Sequence, residues 1–322
     1  MTLQEQIRAN RLRSAIVVFG FALLLGIVAG LIGAIFDASL GIVALAGAAV
    51  YALFAILSAR KMIGGMTRAQ EIGPEDLKPL RRLVENVSIA AGLPLTPDVR
   101  IVDDPAPNAF AAGLRPQSSY LGVTTGLLRT MPKRELEAVL GHEISHVRNR
   151  DTYLMTIATV FAGVIALLAD IAFRMLIFGG GGRSRRGGAG ALIAVLAIAG
   201  LLLAPYAAMV LRMSLSRRRE FLADAGSAEI LNDPEAMALA LRRLQLDTTT
   251  IEYPDAAVAH LWIESPTSRV ESARTGVNFI SGLFDTHPPL EKRIAALEEA
   301  GGFRLAENLP PDEPFAAELG LA

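Results

Sequence analysis

Charged residues are spread unevenly along the chain, and the gaps between them predict its first elements. Ser14–Phe36 and Ala38–Ala59 carry no charge, and only Asp37 separates them. At 1.5 Å rise per residue each run is long enough to cross a hydrocarbon core, so the pair predicts a transmembrane hairpin. The first run is too long for the core of a signal peptide, and a second follows at once, which predicts an uncleaved anchor over residues 1–60. Arg8, Arg11 and Arg13 precede the hairpin, Arg60, Lys61 and Arg68 follow it, and no Lys or Arg lies between the spans. The positive-inside rule then places the start of the chain, and everything after Ala59, on the cytoplasmic side. Two further apolar runs, 152–178 and 189–211, predict a second hairpin over residues 151–213. The first arm is clean over Thr152–Ala169 and continues through Asp170 and Arg174, which are four apart and able to pair on one helix face. The loop GGGGRSRRGG between the arms carries Arg183, Arg185 and Arg186, which a full crossing would put on the outer side, against the rule. This hairpin therefore either crosses the bilayer or lies in or on it. No strand precedes the glycine-rich loop, so it reads as a linker and not as a phosphate cradle.

Shorter periods fill the remainder. Leu77, Leu80, Leu83, Val84 and Val87 recur at helical spacing within Glu75–Ala91. VRIVDD (Val99–Asp104) and SSYLGVTTGLL (Ser118–Leu128) read as strands, with NAFAAG between them. Pro132–Leu154 predicts a single helix with its proline in the first turn, and Pro234–Leu246 and Pro289–Ala300 predict two more. Leu246–Ser281 is irregular and polar, the pattern of a lid or flap, and the proline-containing tail 301–322 is expected to be peripheral. The expected fold class is mainly α with a small β-sheet (α+β). Its catalytic part comes in two pieces, 61–150 and 214–300, interrupted by the second hydrophobic hairpin.

Composition agrees with a membrane protein: 52% of residues are hydrophobic and 20% charged, and the mean hydropathy is +0.41. A net charge of −1 gives no global basic field and no argument for a nucleic-acid partner. The absence of cysteine excludes disulfides and thiolate metal ligands. The histidines are His142, His146, His260 and His287, and the first two fall within the motif HEISH.

On a helix, His142 and His146 stand one turn apart on the same face, the spacing at which two imidazoles bind one Zn²⁺. Glu143 points about 100° away, where it reaches a metal-bound water without ligating the metal. Zinc lowers the pKa of such a water toward neutrality, Glu143 takes its proton, and the natural reaction is peptide hydrolysis. A third protein ligand is expected. VRNRDT, which follows His146, offers no third histidine, so the ligand is sought on a later helix. Within SLSRRREFLADAGSAEIL (Ser214–Leu231), Glu220 is able to ligate, and Asp224, one turn on, is able to accept a hydrogen bond from a ligating histidine. The same two carboxylates also fit a solvated helix face opposite Arg217, Arg218 and Arg219. Ligands to one metal lie on one side of a membrane, so the chain between His146 and Glu220 crosses twice or not at all. Either way the site is expected at the membrane surface. His260, beside Trp262, reads as structural.

Four stretches, PNAFAAG (Pro107–Gly113), GHEISHVRNRD, SRRREFLADAGSAE and DTHPPLEKRI (Asp285–Ile294), together resemble the HtpX family, bacterial membrane-bound zinc metalloproteases related to the CAAX prenyl proteases. The resemblance implies a zincin-like fold of the gluzincin type. One Zn²⁺ per subunit would sit on His142, His146 and Glu220, with Glu143 as base and Asp224 behind the ligands. It implies a place in the bacterial inner membrane with the catalytic domain facing the cytoplasm. The partners implied are the lipid bilayer and misfolded or membrane polypeptides, cleaved in protein quality control; the oligomeric state stays open. By the same resemblance Asn108 contacts bound substrate backbone or the oxyanion, His287 stabilises the oxyanion near the metal, and Arg293 holds the loop that carries His287. A helix-cap role before Pro288 is the other reading of His287. An edge strand beside the active-site helix would take an extended peptide by strand addition. Two other functions fit less well: a catalytically silent membrane scaffold, which would not need Glu143, and a prenyl-peptide protease, whose larger set of spans is not visible.

Overall fold

The structure is a computed structural model that describes residues 3–73, 75–178, 188–252, 258, 261–264 and 288–320. Its helices are α1 Leu3–Ile35, α2 Ala38–Met66, α3 Lys78–Ala90, α4 Thr125–Thr130, α5 Lys133–Arg148, α6 Asp151–Phe178, α7 Gly188–Leu231, α8 Pro234–Leu246 and α9 Leu290–Gly301. Four strands form one sheet: β1 Gln70–Glu71, β2 Asp98–Val102, β3 Ala109–Ala112 and β4 Tyr120–Thr124. The fold is mainly α with a small mixed sheet, as the sequence predicts. The chain divides into two compact units, Met1–Ser58 with Leu154–Leu215, and Ala59–Tyr153 with Ser216–Ala322.

Apolar helices build the first unit. Ala15–Ile35, Ala38–Met66 and Asp151–Phe178 are long and apolar enough to cross a membrane, and Val195–Leu211 is a shorter apolar stretch within α7. The Asp37 carboxylate accepts a hydrogen bond from the Ser39 N–H at 2.9 Å and so opens α2 after the turn. Small residues let α1 and α2 approach closely: a Cβ on Gly41 would lie 2.7 Å from Ala29 O and 3.0 Å from Gly33 Cα. Phe21 stacks on Phe161 with ring centroids 6.0 Å apart. Phe19, Ile42, Leu57 and Phe178 remain exposed, as side chains that face lipid do. Arg174 Nε donates to Asp170 at 2.8 Å, the pairing expected from their spacing. Arg183, Arg185 and Arg186 lie outside the described residues.

In the second unit the strand order is β1-β2-β4-β3, with β2 parallel to β4 and the other pairs antiparallel. Strand β4 is buried along its whole length. Alternation sends Val99, Ala109, Ala111, Leu121 and Val123 into one core. There they meet Leu80, Leu83, Val84 and Val87 of α3, Leu136, Val139, Leu140 and Ile144 of α5, and Leu241 and Leu244 of α8. Val102, Phe110 and Tyr120 enter a smaller cluster with Trp262.

Four expectations are corrected. The stretch SSYLGVTTGLL is not one strand: the buried Thr124 accepts the Leu127 N–H at 3.1 Å through Oγ1, and this cap turns the chain into α4. Pro132–Leu154 is not one helix: α5 ends at Arg148, Arg150 adopts the left-handed region (φ 60°), and α6 begins at Asp151. The segment after Leu211 is not a separate helix, because α7 runs unbroken through Pro205 to Leu231. The tail is not peripheral, since the Phe315 N–H bonds Met131 O at 2.9 Å and the Phe315 ring is buried in the main core.

The edge of β3 is also occupied. The Ile263 N–H donates to Ala109 O at 2.9 Å, Phe110 and Trp262 form an antiparallel bridge, and their rings meet edge to face at 4.7 Å. The strand expected to receive substrate thus carries a short piece of its own chain at the Asn108–Phe110 end.

Candidate metal centre

Helix α5 supplies the first site residues. Its first turn carries Glu135, gripped by Arg243 Nε and Nη2 at 2.6 and 2.7 Å. Nearly every following side chain is buried, which holds the helix against the sheet and α8. Helix α7 passes close by because the contact is built from small residues. A Cβ on Gly141 would lie 2.8 Å from Ser227 Oγ, and one on Gly226 would lie 2.1 Å from Ser145 Oγ. Ser227 Oγ also donates to Ala138 O at 2.6 Å, locking the register of the two helices.

That register brings His142, His146 and Glu220 together, with one ligand atom from each within 4.8 Å of the others. The two Nε2 atoms are 3.2 Å apart. Glu220 Oε2 lies 3.7 Å from His142 Nε2, and Oε1 lies 3.5 Å from His146 Nε2. Two nitrogens each at ~2.0–2.1 Å from a tetrahedral zinc ion stand about 3.3 Å apart, so the spacing suits that ion. The other ring nitrogens are already committed. His142 Nδ1 faces Asp224 Oδ1 at 2.9 Å, and His146 Nδ1 faces Asp151 Oδ2 at 3.2 Å. A carboxylate at Nδ1 fixes the proton there and leaves the Nε2 lone pair directed at the shared point, the tautomer a metal requires.

Arg293 is fully buried behind the ligands. Its Nε and Nη2 donate to Asp224 at 2.8 and 2.6 Å, and its Nη1 lies 3.2 Å from Glu220 Oε2 and donates to Ile263 O at 3.1 Å. Burial disfavours the Asp224 carboxylate, but Arg293 outweighs it and holds the pKa below the usual value. Burial pulls His142 down, with Asp224 acting the other way. Burial also acts downward on His146, yet Asp151 and Glu220 more than reverse it, to about 10. Neither oxygen of the buried Glu143 makes a hydrogen bond of normal geometry; burial pushes its pKa up to about 8, winning over His146 and the Ala111 backbone N–H, which act to lower it. These shifts come from protein groups alone; a divalent cation at the triad favours neutral imidazoles and the ionised Glu143. A buried, weakly partnered carboxylate beside a His–His–Glu cluster is what metal-assisted proton transfer needs.

Among the other expected site residues, Asn108 is buried and its amide is used locally. Nδ2 donates to Glu264 O at 2.8 Å, and Oδ1 accepts from the Ala109 and Glu264 N–H groups at 3.0 and 3.4 Å. His287 and His260 lie outside the described residues, as does most of the predicted flap after Glu252. Sequence reasoning missed Asp151 and Arg219, whose Nη1 donates to Asp151 Oδ1 at 2.7 Å. On an unbroken helix residue 151 would stand about 140° round from His146, away from the ligand face. Only the break at Arg150 brings it back, and Asn149 is the one local hint of that break.

Comparison with known proteins supplies the family. A model of peptidase family M48 matches residues 74–301. A protein named Protease HtpX homolog from Limosilactobacillus fermentum is 40% identical over 304 residues, covering 92% of this chain and 99% of its own length. Another of that name, from Listeria monocytogenes serotype 4a, is 37% identical over 308 residues, covering 91% and 98%. The crystal structure of Ste24p from S. mikatae aligns with a TM-score of 0.47 at 18% identity, over 77% of this chain and 55% of that one. Since the family model takes in the histidine pair and Glu220 alike, and the relatives match almost end to end, the chain belongs to the HtpX family of peptidase family M48 and is a membrane protease.

Proposed function

We propose that this chain is a zinc-dependent endopeptidase of the bacterial inner membrane that cleaves misfolded or membrane polypeptides on the cytoplasmic side, in quality control. The observation that carries the reading is the pair of Nε2 atoms 3.2 Å apart, each with its Nδ1 held by a carboxylate, and a glutamate within reach of both. Zn²⁺ held by His142, His146 and Glu220 would supply Lewis acidity and a water acidic enough to attack near neutral pH. Glu143 takes the proton of the attacking water and returns it to the leaving amine, as a buried, weakly partnered base beside the histidine pair is placed to do. Asp224, anchored by Arg293, keeps His142 in its ligating tautomer. Asn108 aligns substrate backbone, and His287 stabilises the developing oxyanion. The run of basic residues at both ends of the first hairpin supports the cytoplasmic assignment.

The test is detergent-purified protein assayed for zinc content and casein cleavage, beside Glu143→Gln, with chelator and zinc re-addition. Wild type that binds zinc, cleaves, stops on chelation and recovers with zinc supports the reading, provided Glu143→Gln binds zinc and does not cleave. Cleavage that survives both the chelator and Glu143→Gln sinks it. Zinc binding without any cleavage favours a silent scaffold.

A further inference from the structure

We propose that Asp151, held by Arg219, is a positioning residue for His146, and that this pair fixes the register at which Glu220 meets the two histidines. The inference rests on the metal-centre reading above. Asp151 is 1% exposed and Arg219 3%. Asp151 Oδ2 faces His146 Nδ1 at 3.2 Å, and Asp151 Oδ1 accepts from Arg219 Nη1 at 2.7 Å. The arrangement repeats, at the second histidine, what Asp224 and Arg293 do at the first: a carboxylate on Nδ1, itself fixed by a buried guanidinium. The two relays also bracket the third ligand along α7. Arg219 immediately precedes Glu220, and Asp224 follows it by one turn.

Two features argue that the pair serves the site and not stability alone. A buried ion pair is a poor stabiliser, because desolvating both charges offsets much of their attraction. The chain also reaches this arrangement at a backbone cost, since Arg150 takes a left-handed conformation that a side chain of its kind disfavours. What the break achieves is chemical: it turns the first residue of α6 back toward the His146 imidazole. With Asp151 accepting at Nδ1, the His146 proton stays on that side and Nε2 is left with its lone pair. Arg219 in turn fixes which carboxylate oxygen faces the ring. An asparagine at 151 loses the charge and is able to present its NH₂ to Nδ1, which favours the opposite tautomer.

The experiment uses the full chain in detergent with zinc as the probe. Zinc affinity is measured by chelator competition, coordination by the visible spectrum of the Co²⁺-substituted protein, and stability by thermal unfolding in excess chelator. The variants are Asp151→Asn, Arg219→Gln and their combination. Glu229→Gln is the control, because it breaks a different ion pair of α7, Arg148–Glu229 at 3.3 Å, that touches neither imidazole. Asp151→Asn is expected to weaken zinc binding about 10- to 100-fold and to alter the Co²⁺ spectrum. Arg219→Gln is expected to act in the same direction, the double variant no more than Asp151→Asn alone, and the control to bind zinc as wild type does. Folded Asp151→Asn with wild-type affinity and spectrum overturns the proposal and leaves a structural ion pair. Should Asp151→Asn not fold, Arg219→Gln decides by the same two readouts. Wild type that binds no zinc would overturn the metal-centre reading and this one with it, whereas zinc bound equally by wild type and Asp151→Asn overturns this one alone.

Discussion

Replacing Gly226 by alanine sets helix propensity against packing at the crossing of α5 and α7, and the two predict opposite signs. In an isolated helix the change is favourable by about 1 kcal/mol, because glycine is that much poorer than alanine in a helix interior. Here the new Cβ would lie 2.1 Å from Ser145 Oγ and 3.0 Å from Ser145 Cβ. Ordinary contact begins near ~3.5 Å. Rotating Ser145 moves its Oγ but not its Cβ, and Ser145 is fully buried, so the helices have to part. Overpacking of this kind costs roughly 1–3 kcal/mol. Set against the propensity gain, the net effect is a loss of up to about 2 kcal/mol. Glu220 is less than two turns away on the same helix, so separation also carries it off the histidines and weakens zinc binding. Denaturant unfolding in excess chelator isolates the packing cost, and chelator competition reads the metal. Combining Gly226→Ala with Ser145→Gly moves the side chain to the other helix and should restore zinc affinity and most of the stability. A Gly226→Ala protein that is more stable than wild type and binds zinc equally well would refute the close crossing as the device that places Glu220. So would a double variant no better than the sum of the single ones.

Other positions give simpler expectations. Asp233 caps α8, accepting from the Ala236 N–H at 3.0 Å, and pairs with Arg134 at 2.7 Å. Asp233→Ala should cost about 1 kcal/mol in denaturant midpoints at neutral pH. The hydrogen bond from Arg134 holds the Asp233 carboxyl below its ordinary 3.8. Its ionised form therefore contributes fully above that pH, and the gap between wild type and Asp233→Ala should narrow as the pH falls further; a gap that persists unchanged at pH ~3 would contradict the assignment. Glu135→Gln breaks the two-point grip of Arg243 on a buried carboxylate and should destabilise by about 2–3 kcal/mol. Arg304→Gln, which removes the exposed partner of the half-buried Glu298, should shift the thermal midpoint by an amount worth less than about 1 kcal/mol. Equal effects of these two would show that burial does not set their scale.

What the sequence revealed followed helical period. His142 with His146, and Glu220 with Asp224, take meaning from one-turn spacing, Glu143 from standing about 100° round from His142, and the apolar face of α3 from the same period. What it concealed depended on tertiary hydrogen bonds or on breaks without glycine or proline. Asp151 acquires its partner only because the backbone reverses at Arg150, and no residue in VRNRD forces that. The end of β4 is set by a buried threonine cap, which reads in sequence like one more β-branched strand residue. The change from apolar to basic composition after Leu211 resembles an element boundary, yet backbone hydrogen bonding is indifferent to side-chain polarity and α7 continues. The proline-containing tail reads as peripheral because the pocket that takes Phe315 is formed by residues distant in sequence.

If β3 takes substrate by strand addition, the short strand-like piece at Trp262–Glu264 has a consequence for which peptides reach it. Its backbone already occupies Ala109 O, the Asn108 amide and Arg293 Nη1. An extended segment that seeks the same groups competes with a tethered rival, and for short tethers the effective concentration of such a rival is in the millimolar range. Single weak encounters lose that competition. A segment wins when it is locally abundant and unfolded over enough length to add contacts further along the strand, toward Ala112. Until then the edge is closed to casual strand pairing, which also protects the sheet from templating aggregation. On the strand-addition reading, discrimination between a folded neighbour and a frayed one becomes a concentration threshold, met before any side chain of the substrate is read.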